Sequence, residues 1–344
     1  MGPRTSLEEG KLMETMKRDA TDAGRSDAPV LYVVVPCYDE EEVLPETARR
    51  LSEKVHALEG AGKVSPRSRV LFVDDGSKDA TWRLITGFHD DPANGQLFSG
   101  ISFAHNRGHQ NALYAGLMCA LERGCDAAVS LDADLQDDVD AIDGMVDEHL
   151  AGADIVYGVR NNRDTDTGFK RRTAEMFYGL MRWLGAETVS DSADYRLMDA
   201  RALEALSQYG EVNLFLRGIV PSLGFRTAKV YYRRGARFAG ESKYPLSKMV
   251  AFAVEGITSF SIKPIRMVTA LGAIAVGISI LVLIYALVSM VMGHVVSGWT
   301  SLIVSVWLVG GLVMLSLGVV GEYVGRIYLE CKHRPRYIVA EELD

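Results

Sequence analysis

The sequence predicts an α/β protein, a mainly parallel sheet with helices on both faces, followed by two apolar helices long enough to cross a bilayer. Three observations predict it. From Val30 to Arg160, short β-branched apolar runs alternate with amphipathic stretches, the pattern of buried parallel strands joined by crossover helices. Acidic motifs fall at the ends of those runs, where sheets of this kind collect their ligands. Finally, Met267–Met292 and Trp299–Val320 contain no Lys, Arg, Asp or Glu.

The elements follow in order. LYVVVP, RVLFVDD, LFSGISF, AAVSLDADLQ and ADIVYGVR read as strands; EEVLPETARRLSEKVHALEG, DATWRLITGF, QNALYAGLMCALERG and AIDGMVDEHLAG read as the helices between them. Past Arg160 the chain turns basic and helical (FKRRTAEMFYGLMRWLG). It then passes through a polar segment, SDSADYRLMD, to a helix and a strand near KVYYRR. These pieces make one catalytic-sized domain over residues 29–244. Residues 1–28 are polar and aperiodic and read as a disordered or weakly helical extension. No apolar segment with a cleavage site opens the chain, so a secretory signal is not expected.

Residues 245–265 form an amphipathic stretch whose pattern fits either a membrane interface or a core-facing helix, and its place immediately before an apolar span favours interfacial helices. The apolar runs 267–292 and 299–320 form a hairpin within 266–325, each able to span ~30 Å of hydrocarbon at ~1.5 Å per residue. The connecting MGHVVSG carries no Lys or Arg, whereas Lys248, Lys263 and Arg266 precede the hairpin and Arg326, Lys332, Arg334 and Arg336 follow it. The positive-inside rule then places the large domain and the 326–344 tail in the cytoplasm, beneath a multi-pass inner (plasma) membrane segment.

Bulk properties exclude other classes. A formal charge of −8 offers no broad basic field, so no nucleic-acid partner is expected, and any anion must be met by local Arg and Lys. The four cysteines show no C-x-x-C pair or zinc spacing and read as reduced thiols.

Of the motifs, LDADLQ is the strongest. In an extended segment Asp132 and Asp134 point to one side and can share a hard divalent cation, with Gln136 adding a neutral oxygen; the alternative is a solvated acidic turn continued by Asp137 and Asp138. In VDDGSKDAT, Asp74 or Asp75 could accept the imide N–H of a uracil ring, or simply cap a Gly-centred turn. In VVPCYDEEE, Tyr38 can stack on a base and Glu40 can hold a ribose or a neighbouring loop. Three acidic loops on one sheet edge imply an offsetting cation or donor-rich ligand, because clustered negative charge is costly.

PCYDEEE, VDDGSKDAT, NRGHQNAL and LDADLQ resemble the nucleotide-sugar half of family 2 glycosyltransferases of the GT-A fold. DYRLMD, RFAGESKYP and GEYVGRIYLECKHRPRYIV narrow the likeness to polyprenyl-phosphate glycosyltransferases, over about residues 30–340. The group includes bactoprenol glucosyltransferases and resembles dolichyl-phosphate mannose synthase. The chain departs at Asp39, where the family often has Asn, and at Ala193, where a Gly commonly stands.

The resemblance implies nucleotide contacts from Pro36, Tyr38, Glu40 and Asp75, and metal and diphosphate contacts from Asp132, Asp134 and Gln136 with Mg²⁺ or Mn²⁺. It further implies phosphate contacts from Arg160, Arg237 and Lys243, a catalytic set of Asp194, Asp134 and Arg237, and a homotetramer. Arg171 and Arg172 are basic in the same region. The expected reaction is transfer, with inversion, of a hexose from a nucleotide diphosphate, with UDP-glucose the expected donor, to a polyprenyl phosphate such as undecaprenyl phosphate. A processive polysaccharide synthase is the enzymatic rival, but the Gln of its Q-x-x-R-W signature is replaced by Gly179 before Arg182-Trp183. A non-enzymatic membrane scaffold is the other, and the intact Asp132/Asp134 pair argues against it.

Overall fold

The computed structural model describes residues 28–161, 192–211, 214–233, 235, 263–292 and 298–344. Eight strands form a single sheet: β1 (Leu31–Cys37), β2 (Arg69–Asp74), β3 (Phe98–Phe103), β4 (Ala127–Ser130), β5 (Ile155–Arg160), β6 (Ser192–Asp199), β7 (Thr227–Tyr232) and β8 (Val339–Leu343), in the order β7-β5-β6-β4-β1-β2-β3-β8. The β3-β2-β1-β4 half is parallel throughout. β6 runs antiparallel between β4 and β5, and β8 lies antiparallel on the outer edge of β3.

Helices cover both faces. On one lie α1 (Leu44–Gly60), α2 (Thr81–His89) and α4 (Ala141–Leu150); on the other lie α3 (His109–Glu122), α5 (Ala200–Ser207) and α6 (Leu216–Ser222). α1 buries Leu44, Thr47, Ala48, Leu51, Val55 and Leu58, a stripe at helical spacing that faces the sheet. α3 packs so close that a Cβ on Gly116 would stand 2.3 Å from Val34 Cγ1 and 2.7 Å from Val73 Cγ2. Only a residue without a side chain fits there.

Two expectations are corrected. The polar segment SADYRLMD is a buried central strand, because Tyr195 and Leu197 pack into one core layer while Asp194 and Arg196, on the opposite face, neutralise each other at 2.6 Å. The last residues are not merely a tail: β8 pairs with β3, Tyr337 stacks on Phe103 at 5.0 Å, and Arg123 binds Glu342 at 2.7 Å.

The two apolar helices are α7 (Lys263–Val291, 29 residues) and α8 (Trp299–Cys331, 33 residues), roughly 44 and 50 Å long. They contact each other. α8 continues past Val320 to Cys331, carrying Glu322 and Arg326 as an i,i+4 pair at 3.4 Å. Ile274, Ile278, Leu281, Val306, Met314 and Leu317 are exposed, so both helices present apolar faces, and each is a candidate membrane span by length and composition. The 245–262 part of the amphipathic stretch lies outside the described residues, as do the 169–185 helix, Arg171, Arg172, Arg237 and Lys243.

Candidate active site

The carboxyl ends of β1, β2 and β4 and the amino end of β6 meet at one edge of the sheet, as the strand directions dictate. Pro36 is inside β1, in register with Val73; Tyr38, 41% exposed, stands just beyond the strand. The loops after β1 and β2 are stitched together. Asp39 adopts φ 53°, donates its backbone N–H to Ser77 Oγ at 3.0 Å and accepts from Lys78 N–H at 2.7 Å. Left-handed backbone and a short acceptor are properties Asp and Asn share, which accounts for either standing at this position. Glu40 donates its N–H to Thr81 Oγ1 at 2.9 Å, and its carbonyl accepts from Val43 and Leu44 at the start of α1.

The two aspartates after β2 play separate parts. Asp74 accepts from Ser102 Oγ at 2.8 Å and from the N–H of Ser77 at 3.1 Å, which makes it the turn cap. Asp75, 3% exposed, accepts the N–H of Arg107 at 2.6 Å and of Gly108 at 2.8 Å, one on each oxygen. Burial pushes its pKa up, opposed by those two amides. Both of its oxygens therefore hold the loop that leads into α3. Gly76, at φ 69°, lets this loop pass: a Cβ there would meet His105 C at 2.7 Å and Asn106 N at 2.8 Å.

The acidic loop after β4 differs in form from the expectation. The strand ends at Ser130, and Asp132–Gln136 is a turn in which Leu135, at φ 55° and buried, reverses the chain. The extended alternation expected of Asp132, Asp134 and Gln136 is thus replaced by a turn pinned from several sides. Thr47 Oγ1 donates to Ala133 O at 2.8 Å, Gln136 N–H to Asp134 Oδ1 at 3.1 Å, Gly235 N–H to Gln136 O at 2.9 Å and Tyr195 OH to Asp138 O at 2.8 Å. Arg160 is tied to the same loop: it donates to Asp137 at 3.2 Å and to Tyr232 OH at 3.2 Å, while Tyr232 OH donates to Asp137 at 2.5 Å.

Across from this loop is a group the motifs did not reveal. His109 Nε2, at the first residue of α3, lies 3.5 Å from Asp132 Oδ1 and 3.7 Å from Asp194 Oδ2. Asp194, 4% exposed, also accepts from Arg196 at 2.6 Å, from Arg217 at 3.0 and 3.2 Å, and from Gln110 at 3.1 Å. Ser130 Oγ donates to its backbone carbonyl. Burial would raise the Asp194 pKa, but the His109 hydrogen bond and the charges of Arg217 and Arg196 win and hold it well below the carboxylate range. Asp132 moves the other way: burial pushes it up, His109 opposes, and the carboxylates of Asp194, Asp137 and Asp134 add to the rise. His109 and Arg217 were missed because each is a single basic residue, one beside a glycine loop and the other inside the apolar run LFLRGIV.

The donor set at Asp132 fits a hard divalent cation. It offers carboxylate oxygens at Asp132, with the carboxylates of Asp194, Asp137 and Asp134 close enough to add to the effect of burial on its pKa. Among the described residues no group of three or more His, Cys, Asp or Glu is arranged around one point, so a cation here needs ligands beyond these side chains. A cleft of about 470 Å³ opens on the outer side of the loop, but its Arg49, Arg50 and Lys54 are engaged by Glu46, Glu53, Asp140 and Asp143.

Residues 32–219, more than half of the chain, match the profile of "Glycosyl transferase family 2". The chain belongs to that family. This glycosyltransferase is 48% identical over 319 residues to the "Uncharacterized glycosyltransferase YkoT" of Bacillus subtilis (strain 168), covering 93% of the chain and 94% of that protein. It is 39% identical to the "Bactoprenol glucosyl transferase" of Shigella phage SfV (91% and 98% covered) and 37% identical to the "Prophage bactoprenol glucosyl transferase homolog" of Escherichia coli (strain K12) (90% and 98% covered). The expected GT-A type α/β domain with two apolar C-terminal helices is the architecture found.

Proposed function

We propose that this family 2 transferase moves a hexose, glucose from UDP-glucose in the first instance, onto the phosphate of a polyprenyl lipid at the cytoplasmic face of the membrane, with inversion. One juxtaposition carries the reading. Asp132 and the arginine-bound carboxylate of Asp194 both approach Nε2 of His109, in a domain whose sheet the chain re-enters a short turn after an apolar helix. Relatives named for bactoprenol support the acceptor. The Lys and Arg residues flanking the hairpin support an orientation with the domain inside. Exposed apolar faces on α7 and α8 support two membrane spans.

In this reading Asp132 and Asp134, with Gln136, hold Mg²⁺ or Mn²⁺ with the donor diphosphate, and Pro36, Tyr38 and Glu40 line the nucleotide side. When bound, the cation supplies Lewis-acid stabilisation of the departing diphosphate. The acceptor phosphate has a second pKa of ~6 and is mostly dianionic at neutral pH, so no strong base is required. Its oxygen forms a bond to the anomeric carbon as the bond from that carbon to the diphosphate oxygen breaks, and the nucleotide diphosphate leaves with the electron pair. Asp194, held ionised by two arginines, is a poor proton acceptor and orients groups instead. Arg160 anchors the acidic loop, and the reading assigns phosphate contacts to Arg160, Arg237 and Lys243.

The test offers the purified full-length protein a panel of nucleotide sugars with undecaprenyl phosphate in vesicles, and reads lipid products by mass spectrometry and anomeric configuration by NMR. The expected outcome is a β-linked lipid phosphate from an α-linked donor, lost in Asp134→Ala and in chelator. A retained configuration, or Asp134→Ala turning over normally in chelator, overturns the mechanism; absence of any lipid-linked sugar overturns the function.

A further inference from the structure

Arg217 is the second residue of α6, and its guanidinium grips Asp194 side-on, Nε to Oδ1 at 3.2 Å and Nη2 to Oδ2 at 3.0 Å. The carboxylate end of this pair is 4% exposed and the arginine end 38% exposed, so the pair is rooted inside and faces outward with its cation. Arg196, 3% exposed, takes the same carboxylate from the protein side and donates to Leu216 O at 3.2 Å, which ties β6 to the start of α6. One carboxylate therefore serves two guanidinium groups. A fork held by two parallel hydrogen bonds is already oriented, so a further anion meets it with little loss of side-chain freedom.

We propose that Arg217 receives the phosphate of the acceptor and that Asp194 is its positioning residue, an inference that rests on the function proposed above. The geometry puts Arg217 beside the donor site. His109 Nε2 is 3.5 Å from Asp132 and 3.7 Å from Asp194, so one ring atom links a carboxylate assigned to the donor diphosphate with the carboxylate that Arg217 grips. An acceptor oxygen has to be held within reach of the donor's anomeric carbon, and a guanidinium next to that site does this. Arg196 then acts differently, keeping Asp194 paired when Arg217 engages a phosphate, so that binding does not strand a buried charge.

The test uses the full chain in vesicles with undecaprenyl phosphate, both substrate concentrations varied, for Arg217→Gln, Arg217→Lys and Asp194→Asn. Arg217→Gln is expected to raise the acceptor KM about 10- to 100-fold, the range for losing a charge-assisted hydrogen bond, with donor KM and nucleotide diphosphate binding in Mn²⁺ unchanged. Arg217→Lys should recover part of the acceptor KM, because it restores charge without the fork, and Asp194→Asn should fall between the two. A thermal midpoint for Arg217→Lys near that of the wild type controls for folding. An unchanged acceptor KM in Arg217→Gln, or a rise confined to the donor KM, overturns the inference while the function stands. A wild-type protein that leaves the lipid phosphate unglycosylated sinks the function reading before any variant is compared.

Discussion

Replacing Asp75 by Asn separates two roles that one carboxylate could perform. Its oxygens accept the N–H groups of Arg107 and Gly108 at 2.6 and 2.8 Å, and Asn offers one oxygen and one NH₂ in their place. One backbone donor then faces another donor in a buried position, which costs about 1–3 kcal/mol. Part of that is recovered, because burial already raises the Asp75 pKa and a neutral side chain escapes this penalty. The net expectation is about 1–2 kcal/mol, or roughly a 3–6 °C fall in thermal midpoint for a domain of this size. The loosened loop leads into His109 and Gln110, whose amide binds Asp194 at 3.1 Å and whose oxygen accepts from Leu216 N–H at 3.2 Å, so turnover should fall as well. Scanning fluorimetry of the detergent-solubilised protein and steady-state rates read both effects. A variant that melts like the wild type yet loses donor affinity would refute the loop-holding role and leave the carboxylate to the nucleotide.

Gly76→Ala should destabilise by more than about 2 kcal/mol, since it combines a left-handed backbone with a Cβ 2.7 Å from His105 C; a wild-type melting curve would contradict this. Asp194 has a folded pKa below its unfolded value of ~3.9, so its ion pairs contribute stability above that pH and lose it as the pH falls further. Thermal midpoints between pH 5 and pH 3 should therefore drop more steeply in the wild type than in Asp194→Asn, and equal slopes would exclude the assignment. Thiol labelling at pH 8 should find one fast cysteine, exposed Cys331. Burial drives Cys125 to about 12 and Cys37 well upward, partial burial takes half-buried Cys119 to about 11, and rapid labelling of any of these three would contradict this ranking.

Strands β1 to β5 were legible because each is a short, largely apolar run buried on both faces, and a continuous apolar string has few other readings. β6 was not, because its buried positions include Asp194 and Arg196, charges that reach the interior only because partners meet them there. Sequence reports charge and not pairing, so the segment read as polar. VAEEL, as β8, has one sheet neighbour and an exposed face, which leaves an acidic string without a hydrophobic signature. At the site, the edge and the acidic motifs could be placed from strand direction alone. The left-handed turn at Leu135 could not, since nothing in its local composition demands it, and neither could His109 and Arg217, which matter through neighbours 85 and 23 positions away in the chain.

The pairing of β8 with β3 has a consequence for biogenesis. The ribosome makes β3 early and β8 last, after both apolar helices, so the outer edge of β3 has no strand to meet during most of synthesis. An open edge of that kind invites pairing with other chains. Completion of the sheet thus waits on synthesis of both apolar helices and the turn after them, and a chain cut short before Val339 keeps an adhesive edge.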